Sequence, residues 1–407
     1  MKGWIKIGLR NNLIYILMLI IFNLLRKIDL IVLDQIFEFN SSLLFIIFMF
    51  FGELLAGLII YRYQISFLPK KKDTVNNEVK LILVSSELSP RDNKFTIYFL
   101  IFVISLFDFI EFLVSTYYIP QYKNISKTLE MRLSSILTFI SALFFIYLLK
   151  FPIFKHQIFS LFIIFICLIM IVILEYFFQH FDGKRTKKEF FIELSLVLNV
   201  HFFNSLLDSI EKYILEYDFV NPFKVLMFEG IFGSILSIIF LFIIRDNPYE
   251  QIKEQYTKNE DNKINFILFI FCLFIYLPLS GGRNAYRVAT NKIYSPMTKT
   301  LTDYFLSPFF LIYYFLFEDD FSNKKQNIRI FYFILNLILS IIVVFCGCIY
   351  NELLILFCCN LEYDTYRQVA IRALIKDEFD VEKNENIIDS RLKEDEENEN
   401  ENNSNSS

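Results

Sequence analysis

Ionisable residues stand inside long apolar runs along this sequence: Glu53, then Asp108 and Glu111, then Asp208, Glu211 and Lys212, then Glu229, then Lys299 and Asp303. In hydrocarbon such a residue costs at least about 2.5–3.5 kcal/mol on insertion scales, so it faces a polar cavity or a partner. Several spacings put two of them on one helical face. Asp108 and Glu111 are three apart, and Asp208 with Lys212 and Lys299 with Asp303 are four apart, which predicts inward-facing pairs. The densest stretch runs from Ala289 to Asp303, where Asn291, Lys292, Ser295, Thr298, Lys299 and Thr302 place polar groups on every side of more than two turns. Just before it, Gly281-Gly282-Arg283-Asn284, together with Pro296, are expected to interrupt helices. Broken helices near a cavity present dipole ends and free backbone groups to an anionic or polar solute. Arg26, Lys27, Lys155 and Glu175 lie near span ends and read as snorkelling side chains.

Bond-making chemistry finds no support. His156, His180 and His201 lack metal-ligand spacing, and Cys167, Cys272, Cys346 and Cys348 lie within apolar runs, with Cys358-Cys359 at the end of the last one. That pattern is neither a disulfide framework nor a metal site. No Gly-x-x-x-x-Gly-Lys-Ser/Thr loop, His-Glu-x-x-His or Gly-x-Ser-x-Gly occurs, so the reading is not an enzyme, with no cofactor and no nucleic-acid partner.

The elements that carry these residues are membrane spans. The chain has 407 residues, of which 55% are hydrophobic and 18% aromatic, and its mean hydropathy is +0.46. Its apolar residues come in blocks of the length a helix needs to cross about 30 Å of hydrocarbon. Ten spans are expected, at 10–32, 42–62, 95–116, 131–149, 154–178, 190–214, 223–244, 264–285, 296–317 and 327–349. The first reads as a retained helix rather than a cleaved leader, because another span follows after a short loop. Lys2, Lys6 and Arg10, then Lys70, Lys71, Lys72, Lys80, Arg91 and Lys94, flank a 33–41 loop without Lys or Arg. This predicts a cytoplasmic amino terminus, and ten spans return the carboxyl terminus to the same side. Asn124-Ile125-Ser126 then falls on the far side as a glycosylation acceptor at Asn124. Residues 376–407 carry twelve acidic against four basic side chains and too little apolar surface to order, so 360–407 reads as an acidic, largely disordered cytoplasmic tail.

The chain also repeats itself. Phe51-Gly52-Glu53-Leu54-Leu55-Ala56-Gly57 in the second span has a counterpart in Phe228-Glu229-Gly230-Ile231-Phe232-Gly233 in the seventh, five spans later. Halves of five spans must be inverted relative to each other, with a site between them. The predicted fold is therefore all-α integral membrane, ten transmembrane helices as two inverted five-helix repeats, over 1–178 and 179–359.

These residues resemble the drug/metabolite transporter superfamily, in its solute carrier family 35, F-type, EamA-like branch. The likeness runs from about Leu9 to Glu352 and rests on Met49-Phe50-Phe51-Gly52-Glu53, Asp108, Glu211-Lys212-Tyr213, Pro222 and Glu229-Gly230-Ile231-Phe232-Gly233. It continues through Lys292, Ser295, Thr298, Lys299 and Asp303 to Gly347, Tyr350 and Asn351. At two places the chain departs from the pattern. The fourth-helix arginine stands one position early, as Arg132, and the ninth-helix arginine is Lys299, which keeps the charge without the planar fork.

The resemblance implies a transporter of a small polar or anionic metabolite that exchanges inward- and outward-open states. Glu53, Asp108, Arg132, Lys299 and Asp303 would line the cavity, with Asn291 and Tyr304 as neutral contacts. Lys299 and Arg132 would attract an anionic group, and Glu53 or Asp108 would carry a coupling proton. The expected partners are a small-molecule solute and the lipid bilayer. The expected location is an endomembrane, Golgi, lysosomal or vesicular, with the plasma membrane as the alternative. A non-transporting receptor or scaffold presenting the acidic tail is the other functional class left open.

Overall fold

The computed structural model describes residues 5–7, 13–39, 41–66, 94–115, 135–147, 153–182, 187–218, 220–244, 248–258, 263–294, 296–317 and 326–357, with isolated positions at 133, 361, 363, 365, 368 and 372. Among these there are eleven α-helices and one pair of three-residue strands. The helices are α1 (Leu13–Gln35), α2 (Ser42–Ser66), α3 (Lys94–Leu113), α4 (Ser135–Tyr147), α5 (Lys155–Asp182), α6 (Lys187–Tyr217), α7 (Pro222–Ile244), α8 (Pro248–Lys258), α9 (Lys263–Ile293), α10 (Pro296–Phe317) and α11 (Gln326–Tyr350). Three of them open on proline, whose missing N–H would be unbonded in the first turn anyway. Asn221 caps α7, its Oδ1 accepting from the Phe223 N–H at 2.9 Å.

Among the described residues seven helices are long and apolar enough to cross a membrane: α2, α3, α5, α6, α7, α9 and α11. The other three expected spans coincide with α1, which carries Arg26, Lys27, Asp29 and Asp34, with α10, which carries Lys299, Asp303 and four threonines or serines, and with α4, a shorter apolar helix whose expected span continues into positions outside the described residues. Ile158, Phe162, Phe165, Ile166, Ile169 and Ile173 of α5 are exposed on the outside of the assembly. Such an apolar outer face belongs in lipid.

Two expectations about local structure are overturned. Helix α9 runs unbroken from Lys263 to Ile293, through Pro278 and through Gly281-Gly282. The glycines do not interrupt it; they let backbones meet. A Cβ on Gly281 would overlap the Gly52 carbonyl of α2, and one on Gly230 of α7 would overlap the Leu54 backbone of α2. Small residues permit this close approach between membrane helices. Residues 286–293, expected as a loop before the ninth span, are the last two turns of α9. Helix α9 ends at Ile293 and α10 begins at Pro296.

Helix α2 packs on α7 and α9, α1 on α9 and α10, and α3 on α6 and α7. Helix α4 packs on α6, α5 and α10, while α11 packs on α5 and α10. Helix α8, which was not expected, lies along the loop between α1 and α2, where Lys258 reaches Glu38 at 3.4 Å. Strand β1 (Ile5–Ile7) pairs antiparallel with β2 (Leu354–Leu356), Ile5 opposite Leu356 and Ile7 opposite Leu354.

Candidate functional site

The polar centre of the molecule forms where α6, α7 and α9 meet. A 31-residue helix, α9, spans about 46 Å at 1.5 Å per residue, and it lays Arg283, Arg287 and Asn291 one turn apart along one face. Arg287 is 2% exposed. Its Nη1 donates to Glu211 Oε2 of α6 at 2.9 Å and its Nη2 to Glu229 Oε2 of α7 at 3.0 Å, with Asp208 Oδ1 of α6 at 3.5 Å. One planar guanidinium thus ties together three helices, a geometry that an ammonium could not reproduce.

The network extends from Asp208 to α10. Lys299 Nζ donates to both Asp208 oxygens, at 2.9 and 2.8 Å, and to Asn204 Oδ1 at 2.8 Å. Asn204 in turn donates to Glu111 Oε1 of α3 at 3.4 Å. On the other side of Arg287, Glu53 of α2 accepts from the Asn284 side-chain amide of α9, and Arg283 Nη1 donates to the Oδ1 of the same amide at 2.6 Å. Glu53 lies in the field of Asp108 and Glu229, opposed by Arg287 and Arg283. Asp108 is 4% exposed and its Oδ2 has no hydrogen-bond partner among the described residues.

The carboxyl ends of α6 and α9 close each other reciprocally. Lys212 of α6 donates to the carbonyls of Asn291, Lys292 and Tyr294 at 2.9, 3.2 and 3.2 Å, the unbonded carbonyls at the end of α9. Lys292 of α9 donates to the Leu215 carbonyl near the end of α6. Lysine at a helix carboxyl end satisfies orphan acceptors and suits the helix dipole.

The expected site residues therefore separate into groups. Glu53, Asp108 and Lys299 belong to the central network, and Asn291 joins it by donating to the Asp208 carbonyl at 3.2 Å. Asp303 accepts from Asn23 Nδ2 of α1 at 3.1 Å. Tyr304 stands apart, in a hydroxyl cluster with Thr138 of α4, which also meets Thr300 at 2.6 Å. Arg132 and Asn124 lie outside the described residues, as do Cys358, Cys359 and nearly all of the acidic tail.

The ion pairs of Asp208 run between helices, to Lys299 of α10 and Arg287 of α9 rather than to Lys212, which pairs with Glu216 one turn further along its own helix at 2.6 Å. All three Lys299 donors are occupied, so in this conformation it holds the helices together instead of awaiting an anion. Arg287 was missed altogether, because the eighth span was expected to end at 285. The i, i+4, i+8 spacing of Arg283, Arg287 and Asn291 was the signal that could have found it. Among the described residues no three His, Cys, Asp or Glu side chains group so as to hold a metal ion. No protein-family model matches the chain, and no curated protein sequence matches it.

Proposed function

We propose that the chain is a multi-pass membrane transporter of a small polar or anionic metabolite, working by alternating access between two inverted five-helix halves. The observation that carries this reading is the pattern of helix packing. With α8 set aside, the halves are α1 to α5 and then α6, α7, α9, α10 and α11. Exchanging each helix for the one five places on turns α1·α9 into α6·α3, α2·α9 into α7·α3, α1·α10 into α6·α4 and α4·α5 into α10·α11, and every one of these pairs is packed. The pairs α2·α7, α4·α10 and α5·α11 map onto themselves, as pairs lying on a two-fold axis must. The axis pair α2·α7 carries Gly52-Glu53 and Glu229-Gly230, so the sequence repeat and the packing repeat coincide.

A two-fold of this kind supports two arrangements related by exchange of the halves, with the solute between them. The buried charge network fits that purpose, since ionisable groups deep in a membrane protein are expensive and mark solute or ion paths. The strand pair β1·β2 supports an even number of crossings, because it sets the chain before α1 beside the chain after α11. The resemblance to solute carrier family 35 points the same way.

The test is exchange by the purified full chain in liposomes preloaded in turn with pooled nucleotide sugars, amino acids or organic acids. The expected result is protein-dependent exchange of one pool, lost in the double variant Glu53→Gln with Lys299→Ala. Exchange that this double variant leaves unchanged overturns the site. No exchange of any pool by folded protein overturns transport in favour of the scaffold class.

A further inference from the structure

Most buried cations here have hydrogen-bonded partners: Arg287 has Glu211 and Glu229, Lys299 has Asp208, Lys212 has Glu216 and three carbonyls, and Lys292 has the Leu215 carbonyl. Arg26 of α1 and Arg283 of α9 differ. Arg26 is 8% exposed, its Nε has no hydrogen-bond partner, and its guanidinium sits over the Phe112 ring at 5.9 Å. Arg283, half-buried, donates to the Asn284 amide and, among the described residues, to no carboxylate. Beyond burial itself, the charges acting most strongly on Arg283 are Arg26 and Arg287, both of its own sign, ahead of Asp303 and Glu111. Asp303 opposes them through its charge but accepts its hydrogen bond from Asn23 rather than from Arg283. Two guanidiniums of like charge, one buried and one half-buried, neither hydrogen-bonded to a carboxylate among the described residues, form an arrangement that an incoming anionic group would complete.

Two carboxylates have the complementary defect. Asp108 Oδ2 and Glu53 Oε2 are buried without hydrogen-bond partners among the described residues. The two defects are joined, because one amide serves both: Asn284 donates to Glu53 and accepts from Arg283. Arg283 and Glu53 are therefore separated by the width of a single side-chain amide, and Arg26 and Asp108 act on this pair through their charge. A simple anion in this place would sit against Glu53 and Asp108, and a simple cation would sit against the arginines. A molecule with both charges a few bonds apart satisfies all four groups and enters with no net charge.

We propose that Arg26 and Arg283 take the carboxylate, and Asp108 and Glu53 the ammonium, of a small zwitterion of the α-amino-acid class. The stacked rings of Phe22 and Tyr286, 5.5 Å apart beside this place, and the Phe112 ring offer apolar surface to its side chain. The inference names the substrate class of the transport reading and relies on that reading for an access route, but not for binding.

The test is thermal stabilisation of the detergent-purified full chain by three matched probes: L-leucine, 4-methylpentanoate, which lacks the ammonium, and isopentylamine, which lacks the carboxylate. Leucine should raise the melting temperature at concentrations at least about a hundredfold below those at which either analogue acts, since each missing pole leaves a buried charge unpaired. Asp108→Asn should abolish the leucine response and favour 4-methylpentanoate. Arg283→Gln and, on a separate helix, Arg26→Gln should shift the preference to isopentylamine. These are gains of binding, so a poorly folded variant does not imitate them.

No stabilisation by leucine, equal responses to all three probes, or unchanged leucine preference in the variants overturns the proposal. Liposome exchange separates the two readings. Leucine binding without leucine exchange upholds the site and defeats transport. Exchange of a different solute, untouched by Arg283→Gln, upholds transport and defeats the site.

Discussion

Three buried carboxylates, those of Asp208, Glu211 and Glu229, depend on Arg287. Removing one member of a buried ion pair strands its partners without water, a loss of about 3–5 kcal/mol. Arg287→Ala should therefore lower the melting temperature of the purified protein sharply, whereas Glu229→Gln should cost much less, because Glu211 and Asp208 remain on the guanidinium. Thermal unfolding of the two variants side by side checks the order. The residue types of this network were legible in the sequence, since mid-span charge has a cost that forces it inward: Glu53, Asp108 and Lys299 all lie where that argument directs. Their partners were not. The i, i+4 rule names neighbours on one helix, but Asp208 meets Lys299 across 91 positions of chain, and no local spacing encodes such a pairing. Arg26 shows the converse failure. Its place near a span end argued for a snorkelling role, yet α1 packs so closely on α9 and α10 that the side chain is enclosed.

Helix α9 is the element on which the reading turned. Glycine and proline punctuate soluble chains, and Gly281-Gly282 was expected to break the span, but in a membrane bundle glycine serves backbone contact instead. Gly230→Leu should therefore push α7 off α2, with loss of the monodisperse peak in size-exclusion chromatography of the detergent-purified protein; an unchanged elution profile would show the crossing to be looser than described. The reciprocal lysines give a second element-scale expectation. Lys212→Met should cost ~1.5–3 kcal/mol for the charged hydrogen bonds it removes. A double-mutant cycle with Lys292→Met should be non-additive if both hold one α6–α9 end, and additive if the caps act separately. Span positions were legible because apolar run length is set by bilayer thickness. The boundaries of α9 and α10 were not, because polar residues that face the interior of a bundle look in sequence like residues of a loop.

At the scale of the whole molecule, β1 and β2 bind the two ends of the bundle together. Lys6→Cys with Ile355→Cys, which stand opposite in the register, should cross-link under mild oxidation, and peptide tags added at the two termini should share one sensitivity to protease in sealed vesicles. Opposite sensitivities would sink the even crossing number. The count of apolar runs led to the same expectation of neighbouring ends, and among the described residues seven of the ten expected spans are matched by helices long and apolar enough to cross a membrane. Sequence hydropathy does not distinguish a polar face turned inward, such as those of α1 and α10, from one turned to water.

The packing order also bears on biosynthesis. Helix α1 leaves the ribosome first, carrying Arg26, Asn23 and Asp29, yet the helices it packs on are α9 and α10. At roughly 5–20 residues per second, the ~250 residues that separate Arg26 from Arg283 take on the order of 10–50 s to synthesise. For that interval α1 has only lesser contacts, such as Arg26 over the Phe112 ring of α3, and lacks its two main packing partners. Its polar side chains reach their final surroundings only when the last third of the chain arrives.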